Sequence, residues 1–243
     1  MDWFFTDEIL KKGDSCLITG EDADHIKKSL RMSAGEVITL CGRDKSEYPC
    51  IIEHINADGV QVRVSDSLEC THEPDIEVTL YFALTKGDKP ETVIQKSVEL
   101  GVHTIIPMMT ERCISRPDAK SMEKKLIRYR KIALQAAMQS RRGIIPEVGA
   151  LTGLAAAAGT LSQYDRAILF YEGGGEPLRN IITPADKKIA VFIGPEGGFE
   201  EHEAEALRNG GAHVATLGKR ILRAETAPLA ALSAIMFHTG NLE

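Results

Sequence analysis

Three glycine-containing stretches hold the residues best suited to chemistry: "YEGGGEP" (171–177), "FIGPEGGFEEHE" (192–203) and "LGKRILRAETAP" (217–228). Each ends an apolar run that reads as a strand. Glycine lets main chain reach φ > 0 and lets a ligand approach N–H and C=O groups closely. The second stretch adds one carboxylate, Glu196, and the third adds Arg220, Arg223 and Glu225. The carboxylates suit proton transfer or loop bracing. None of the loops is a phosphate cradle: G-x-x-x-x-G-K-[ST] is absent, and "EGGGEP" lacks the third glycine of a dinucleotide fingerprint and follows a late strand. Singly, each loop reads equally as a strand-to-helix turn. Three together, the last one dense in arginine before a capped helix, point to a site that reads an adenine-bearing ligand through main-chain groups.

The elements that would position these loops follow from the patterning. Residues 1–72 hold short β-rich runs, "CLITG", "VITLCGRD", "YPCIIEHI" and "GVQVRVS", with Asp58-Gly59 as a hairpin turn and one helix over 21–32. That predicts a small β-barrel or curled sheet. "CTHEPDIE" (70–77) marks the boundary to a second domain, 73–243. There strands ("VTLYFAL", "HTIIPM", "AILFYE", "KIAVFIG", "HVATLG") alternate with helices, which predicts a mostly parallel sheet covered on both faces. The expected helix signals are a capping box of Asp88 with Glu91, Gly101 past a helix end, a Ser121 cap on a helix to about residue 140, and a Thr226 cap with Pro228 in the last helix. In a parallel sheet the three glycine loops share the carboxyl edge, where ligands bind.

Composition bounds the function. The chain has 243 residues and a net charge of -6, so a bulk polyanion binder is not the first expectation. Charge is concentrated, however. Between 120 and 142 eight basic residues stand against Glu123 alone, a local stripe that fits either a solvated helix face or an RNA contact. Residues 1–71 carry eight basic and fourteen acidic side chains, so an RNA contact there must be local, with "HIKKSLR" (25–31) the best match. Five cysteines without C-x-x-C imply reduced thiols rather than disulfides or a zinc framework. With no H-E-x-x-H and no signal-like start, no metal, no membrane segment and a cytoplasmic location are expected.

The pair "FIGPEGGFEEHE" and "LGKRILRAETA" resembles the SPOUT class of methyltransferases, whose parallel sheet carries a trefoil knot. "KGDKPETVIQKSVELGVHTIIPMMTERC", "RYRKIALQAAMQS" and "HIKKSLRMSAGEVITL" narrow the similarity to the RsmE family, with a PUA-like β-barrel in front. The similarity spans nearly the whole chain. Two places depart from it: Asp2-Trp3 stand where a basic residue is usual, and Met138 stands where Glu is usual before Gln139-Ser140.

The resemblance implies S-adenosylmethionine as cofactor, N3 of one uridine in bacterial 16S rRNA as target, the rRNA or small ribosomal subunit as partner, and a homodimer. Carried onto this sequence, it implies cofactor contacts at Glu172, Gly194, Gly197, Gly198, Leu217, Gly218, Ile221 and Leu222. Arg223 is the first choice for stabilising the deprotonated base and Arg220 the second, with Glu196 a proton acceptor or a loop brace. Lys27, Lys28, Arg31, Lys124, Lys125 and Arg128 would face RNA. The last helix, "APLAALSAIMF", is apolar nearly all round and needs cover on every side, as a dimer would give. The competing readings are a SPOUT enzyme for tRNA or 23S rRNA and a non-catalytic RNA-binding assembly factor.

Overall fold

The computed structural model describes residues 2–242. Two compact units emerge: Met1–Glu73 with Ala137–Ile145, and Pro74–Ala136 with Pro146–Glu243.

The first unit is a six-stranded sheet of β1 (Asp2–Phe5), β2 (Ser15–Ile18), β3 (Val37–Cys41), β4 (Ser46–Ile55), β5 (Val60–Val64) and β6 (Leu68–Glu69). The order is β1-β3-β4-β5-β2, with β6 on β4. Alternation decides which face is buried: Val60, Val62 and Val64 point inward to one core with Phe4, Ile38, Leu40 and Ile52. The β4–β5 turn closes where Asn56 Oδ1 accepts hydrogen bonds from the N–H groups of Asp58 and Gly59. A Cβ on Gly59 would overlap the Ile18 carbonyl, so the hairpin requires glycine there.

The expected helix over 21–32 is present but not regular. Helix α1 (Gly20–Asp24) runs into a π-helical turn, His25–Leu30, and stops at Arg31 with φ +54. Segment 137–145 returns to this unit through polar ties. Trp3 Nε1 donates to the Arg142 carbonyl at 3.0 Å, and the buried Arg142 guanidinium holds Glu73 with bonds of 2.8 and 2.7 Å.

The second unit is an eight-stranded parallel sheet: β7 (Glu77–Ala83), β8 (Thr104–Met109), β9 (Glu147–Val148), β10 (Thr152–Gly153), β11 (Arg166–Phe170), β12 (Glu176–Pro177), β13 (Lys188–Ile193) and β14 (His213–Thr216). Its order is β10-β8-β7-β13-β11-β14-β12, with β9 on β8. The central strands β7, β11 and β13 are buried almost end to end, as both-face cover demands. Tyr81 and Phe192 stack across the β7–β13 pair at 4.6 Å. Helices α2 (Lys89–Glu99), α3 (Ala119–Gln139), α4 (Leu154–Ala158), α5 (Glu201–Asn209) and α6 (Ala227–His238) complete the alternation. Among the described residues no helix is long and apolar enough to cross a membrane.

The helix ends differ in part from expectation. Gly101 closes α2 at φ +90, with Gly101 N–H bonded to Val98 O and Val102 N–H to Ser97 O, the paired bonds of a Schellman motif. The Asp88–Glu91 capping box does not form: Asp88 makes no side-chain cap bond, and Glu91 pairs with Arg128 at 2.6 Å. A guanidinium within reach outweighs a local cap. Ser121 does not cap α3; Asp118 does, its Oδ1 accepting from Ser121 N–H at 2.7 Å. Thr226 precedes α6 without a side-chain cap bond. The reciprocal capping box sits instead at Glu200 and Glu203 of α5.

Candidate active site

Strands β7, β13, β11 and β14 are consecutive neighbours in a parallel sheet, so the loops leaving their carboxyl ends converge. Those loops carry Lys89, segment 194–199, segment 171–174 and segment 217–224. Together they line a cavity of about 690 Å³. This lies within the roughly 300–1,000 Å³ usual for small-molecule and cofactor sites.

The structure gathers most of the residues singled out in the sequence. Glu172, Gly194, Gly198, Leu217, Gly218, Ile221 and Leu222 line the cavity, as do Glu196, Arg220 and Arg223. Gly197 is not in the lining; its carbonyl accepts from Arg112 Nη1 at 2.7 Å. Ile221 is 80% exposed, and Arg220 and Arg223 are exposed too, so this segment forms the mouth. Neither guanidinium has a hydrogen-bond or salt-bridge partner among the described residues. Arg223 also shapes the backbone, its carbonyl accepting from Thr226 N–H at 2.8 Å and Ala227 N–H at 2.9 Å.

Two glycines are fixed by geometry. Gly198 has φ +71, and a Cβ there would overlap the Glu172 carboxylate. A Cβ on Gly175 would lie 2.6 Å from the Val214 carbonyl oxygen of β14, backbone that cannot yield. Glycine at 175 therefore lets the "EGGGEP" loop press directly onto β14.

Two basic residues that the sequence pattern does not single out organise the loops. Lys89 Nζ lies 3.0 Å from Glu196 Oε1 and 3.3 Å from Glu225 Oε2, joining the second and third glycine loops. Burial would raise the Glu196 carboxyl, but the Lys89 bond and main-chain donors outweigh it and hold the group below its ordinary value. Glu225 is lowered first by its own main-chain N–H and then, against burial, by Lys89. Lys89 is raised in turn, chiefly by Glu196. Arg112, in the loop after β8, grips Glu200 through Nε and Nη2 at 2.8 and 2.9 Å and lies 3.8 Å from Glu172. It thus ties the "GPEGG" loop to the start of α5. The signal for Lys89 was its place: a cation in the first turn of a helix opposes the helix dipole and calls for a partner.

The basic side chains expected to face RNA fall into two classes. Lys28 pairs with Asp24 at 3.1 Å, Lys27 donates to the Asn56 carbonyl at 3.3 Å, and Arg128 pairs with Glu91. Arg31, Lys124 and Lys125 have no such partner among the described residues.

Comparison with known proteins fits this geometry. Residues 72–236 match the family model of an RNA methyltransferase domain, and residues 18–65 match that of an RNA methyltransferase PUA domain. Ribosomal RNA small subunit methyltransferase E of Bacillus subtilis is 35% identical over 241 residues, covering 96% of this chain and 94% of that protein. The structure of the corresponding Neisseria gonorrhoeae enzyme bound to S-adenosyl methionine is 31% identical with a TM-score of 0.88, covering 98% of this chain and 97% of that one. A Legionella pneumophila methyltransferase in complex with the bound cofactor SAM is also 31% identical, with a TM-score of 0.89 over 97% and 96% of the two chains. With both family models matched in order and relatives alike over nearly their whole length, the chain belongs to the ribosomal RNA small subunit methyltransferase E family of RNA methyltransferases.

Proposed function

We propose that this protein transfers a methyl group from S-adenosylmethionine to N3 of one uridine in bacterial 16S rRNA. The observation that carries the reading is the convergence of three glycine loops on one cavity whose mouth bears two arginines with side chains unpaired among the described residues. The cavity fits the cofactor by size, by its glycine-exposed main chain and by the lack of a phosphate cradle. The bound cofactor supplies a methyl group on a cationic sulfonium.

The chain's own residues do the rest. Uridine N3 is a weak nucleophile until its proton leaves, and its removal spreads negative charge over N3, O2 and O4. Arg223 meets that charge with a planar fork able to bond two acceptors, and Arg220 stands beside it. Glu196 and Glu225 act through Lys89 as loop braces. Carboxyls held ionised and below their ordinary range are poorly matched to a proton acceptor working near neutrality. Water takes the proton.

A trefoil knot belongs to this reading. Strand β14 lies between β11 and β12, although β11 and β12 are joined by only residues 171–175. That short connection must arch over the end of β14, so the chain leaving β14 passes beneath it. Lys124, Lys125 and Arg31 are the basic side chains left to meet RNA, with Lys27, Lys28 and Arg128 free to join by exchanging their present partners.

A homodimer also belongs to it. Helix α6 buries Pro228, Ala231, Leu232, Ile235 and Met236, yet leaves Leu229, Ala230 and Ala234 half covered and Phe237 66% exposed. A second copy is expected to cover that face. Light scattering coupled to size exclusion should give twice the chain mass, and Phe237→Glu should shift it toward monomer; a monomeric wild type at micromolar concentration would rule the dimer out.

The function itself is tested by mass-spectrometric mapping of 16S rRNA from cells with and without the gene. One N3-methyluridine should vanish on deletion and return on incubating deletion-strain small subunits with the protein and S-adenosylmethionine. Loss of a mark in tRNA or 23S rRNA instead would replace the proposed substrate.

A further inference from the structure

Glu47, Cys70 and His72 bring a carboxylate, a thiol and an imidazole to one point of the first unit. Their ligand atoms all lie within 4.8 Å of one another. His72 Nδ1 is 2.9 Å from Glu47 Oε1 and 3.7 Å from Cys70 Sγ. From these contacts we infer that the three side chains form a zinc-binding site, with a water completing the coordination.

The distances suit a tetrahedral ion. Bond lengths of about 2.3 Å to sulfur and about 2.0–2.2 Å to nitrogen and oxygen set tetrahedral edges of roughly 3.6 Å (S···N) and 3.4 Å (N···O). The observed 3.7 Å sulfur–nitrogen separation already matches. The 2.9 Å nitrogen–oxygen pair is a hydrogen bond and must open by about half an ångström when a metal takes the place of its proton. A thiolate, an imidazole and one carboxylate form a borderline-soft set that favours zinc over magnesium or calcium. His72 is exposed, which leaves the fourth position open to solvent.

The Glu47 carboxylate beside His72 Nδ1 supplies the negative charge a cation would meet here. Cys70 and His72 sit on the segment that follows β6, which pairs with β4 at Ser46↔Glu69 and Glu47↔Leu68 and continues with Cys70 N–H donating to the Lys45 carbonyl at 3.1 Å. An ion bridging Glu47 to both would pin that segment to β4.

The chain carries its own reporter. Its single tryptophan, Trp3, packs edge-on against His72 with ring centroids 5.6 Å apart. Cobalt(II), a spectroscopic stand-in for zinc, added to the full-length protein should quench Trp3 emission saturably at one equivalent per chain. It should also raise a thiolate-to-cobalt charge-transfer absorption, and zinc should reverse both. Cys70→Ser should abolish the charge-transfer band, and His72→Gln should weaken binding at least tenfold, with circular dichroism confirming that each variant is folded. Should either variant fail to fold, Glu47→Gln, which changes no volume, is expected to weaken binding tenfold. Absence of the charge-transfer band in the wild type, or binding unchanged in the folded variants, overturns the site.

Discussion

Replacing Arg223 with alanine is expected to slow methyl transfer about 10²–10³-fold, the usual loss when one preorganised donor to a developing anion is removed. Affinity for S-adenosylmethionine should stay within about threefold. The asymmetry follows from where the residue sits. Its guanidinium lies at the cavity mouth with no hydrogen-bond or salt-bridge partner among the described residues, so truncation breaks no tie seen there. The part of Arg223 that shapes the site is its carbonyl, which anchors the turn into α6, and alanine keeps that carbonyl. On the proposed reading, charge on the uracil anion exists only after N3 loses its proton. Losing an interaction made with that charge lowers kcat without changing ground-state binding. Arg223→Lys should recover part of the rate, because charge returns while the two-pronged fork does not. Single-turnover methylation of small subunits, paired with calorimetry of cofactor binding, separates the two effects. A rate within threefold of wild type would move the role to Arg220; equal losses in rate and cofactor affinity would make Arg223 a cofactor contact instead.

The parts of this site legible in the sequence were those written in contiguous residues. "GPEGG", "RILRAETA" and "EGGG" each follow a strand, and parallel topology then requires their loops to share an edge. Gly101 was legible for the same reason, since a Schellman end is a local event. What could not be read were partners distant in sequence. Glu91 is three residues from Asp88 and suggests a capping box, yet an arginine 37 residues away takes it. Nothing local shows that Arg112 holds the carbonyl of Gly197, 85 residues on. The tie between Trp3 and Arg142 spans 139 residues and returns segment 137–145 to the first unit, which patterning alone assigns to the second. Helix-forming sequence also conceals the π-helical turn at His25–Leu30, because hydrophobic spacing over six residues hardly separates the two windings. Charge pairing and backbone winding are therefore where the fold adds most to the sequence, and both converge on residues that shape loops more than on residues that touch ligand.

Lys89→Met is expected to weaken S-adenosylmethionine binding roughly tenfold near pH 8, since an opposite charge at such range is worth about one to three pKa units to its partners. It should also reverse the pH dependence. In the wild type, Glu196 and Glu225 have folded-state pKa values below their ordinary ones, so their pairing stabilises the loops fully above the ordinary carboxylate range and is lost as pH falls through the depressed values. Lys89 is raised, so its share is lost only as pH rises through a value above the ordinary lysine range. Between those limits wild-type affinity should be flat. Methionine keeps the length and apolar stem of lysine and removes the charge, leaving two part-buried carboxylates near each other without a cation. Their mutual repulsion raises the pKa of the pair, and the loops then hold better once one of the two is protonated. Affinity in the variant should therefore climb toward wild type as pH falls from about 8 to about 5, the opposite of the wild-type trend at its acid limit. Lys89→Arg should restore the flat profile, because it restores the charge. Calorimetric titrations of the three proteins across that range decide the matter. A Lys89→Met profile parallel to wild type would mean that the bridge does not hold the loops. If kcat instead rose in the variant, with the carboxyl now closer to neutrality, Glu196 or Glu225 would be the proton acceptor and Lys89 its suppressor.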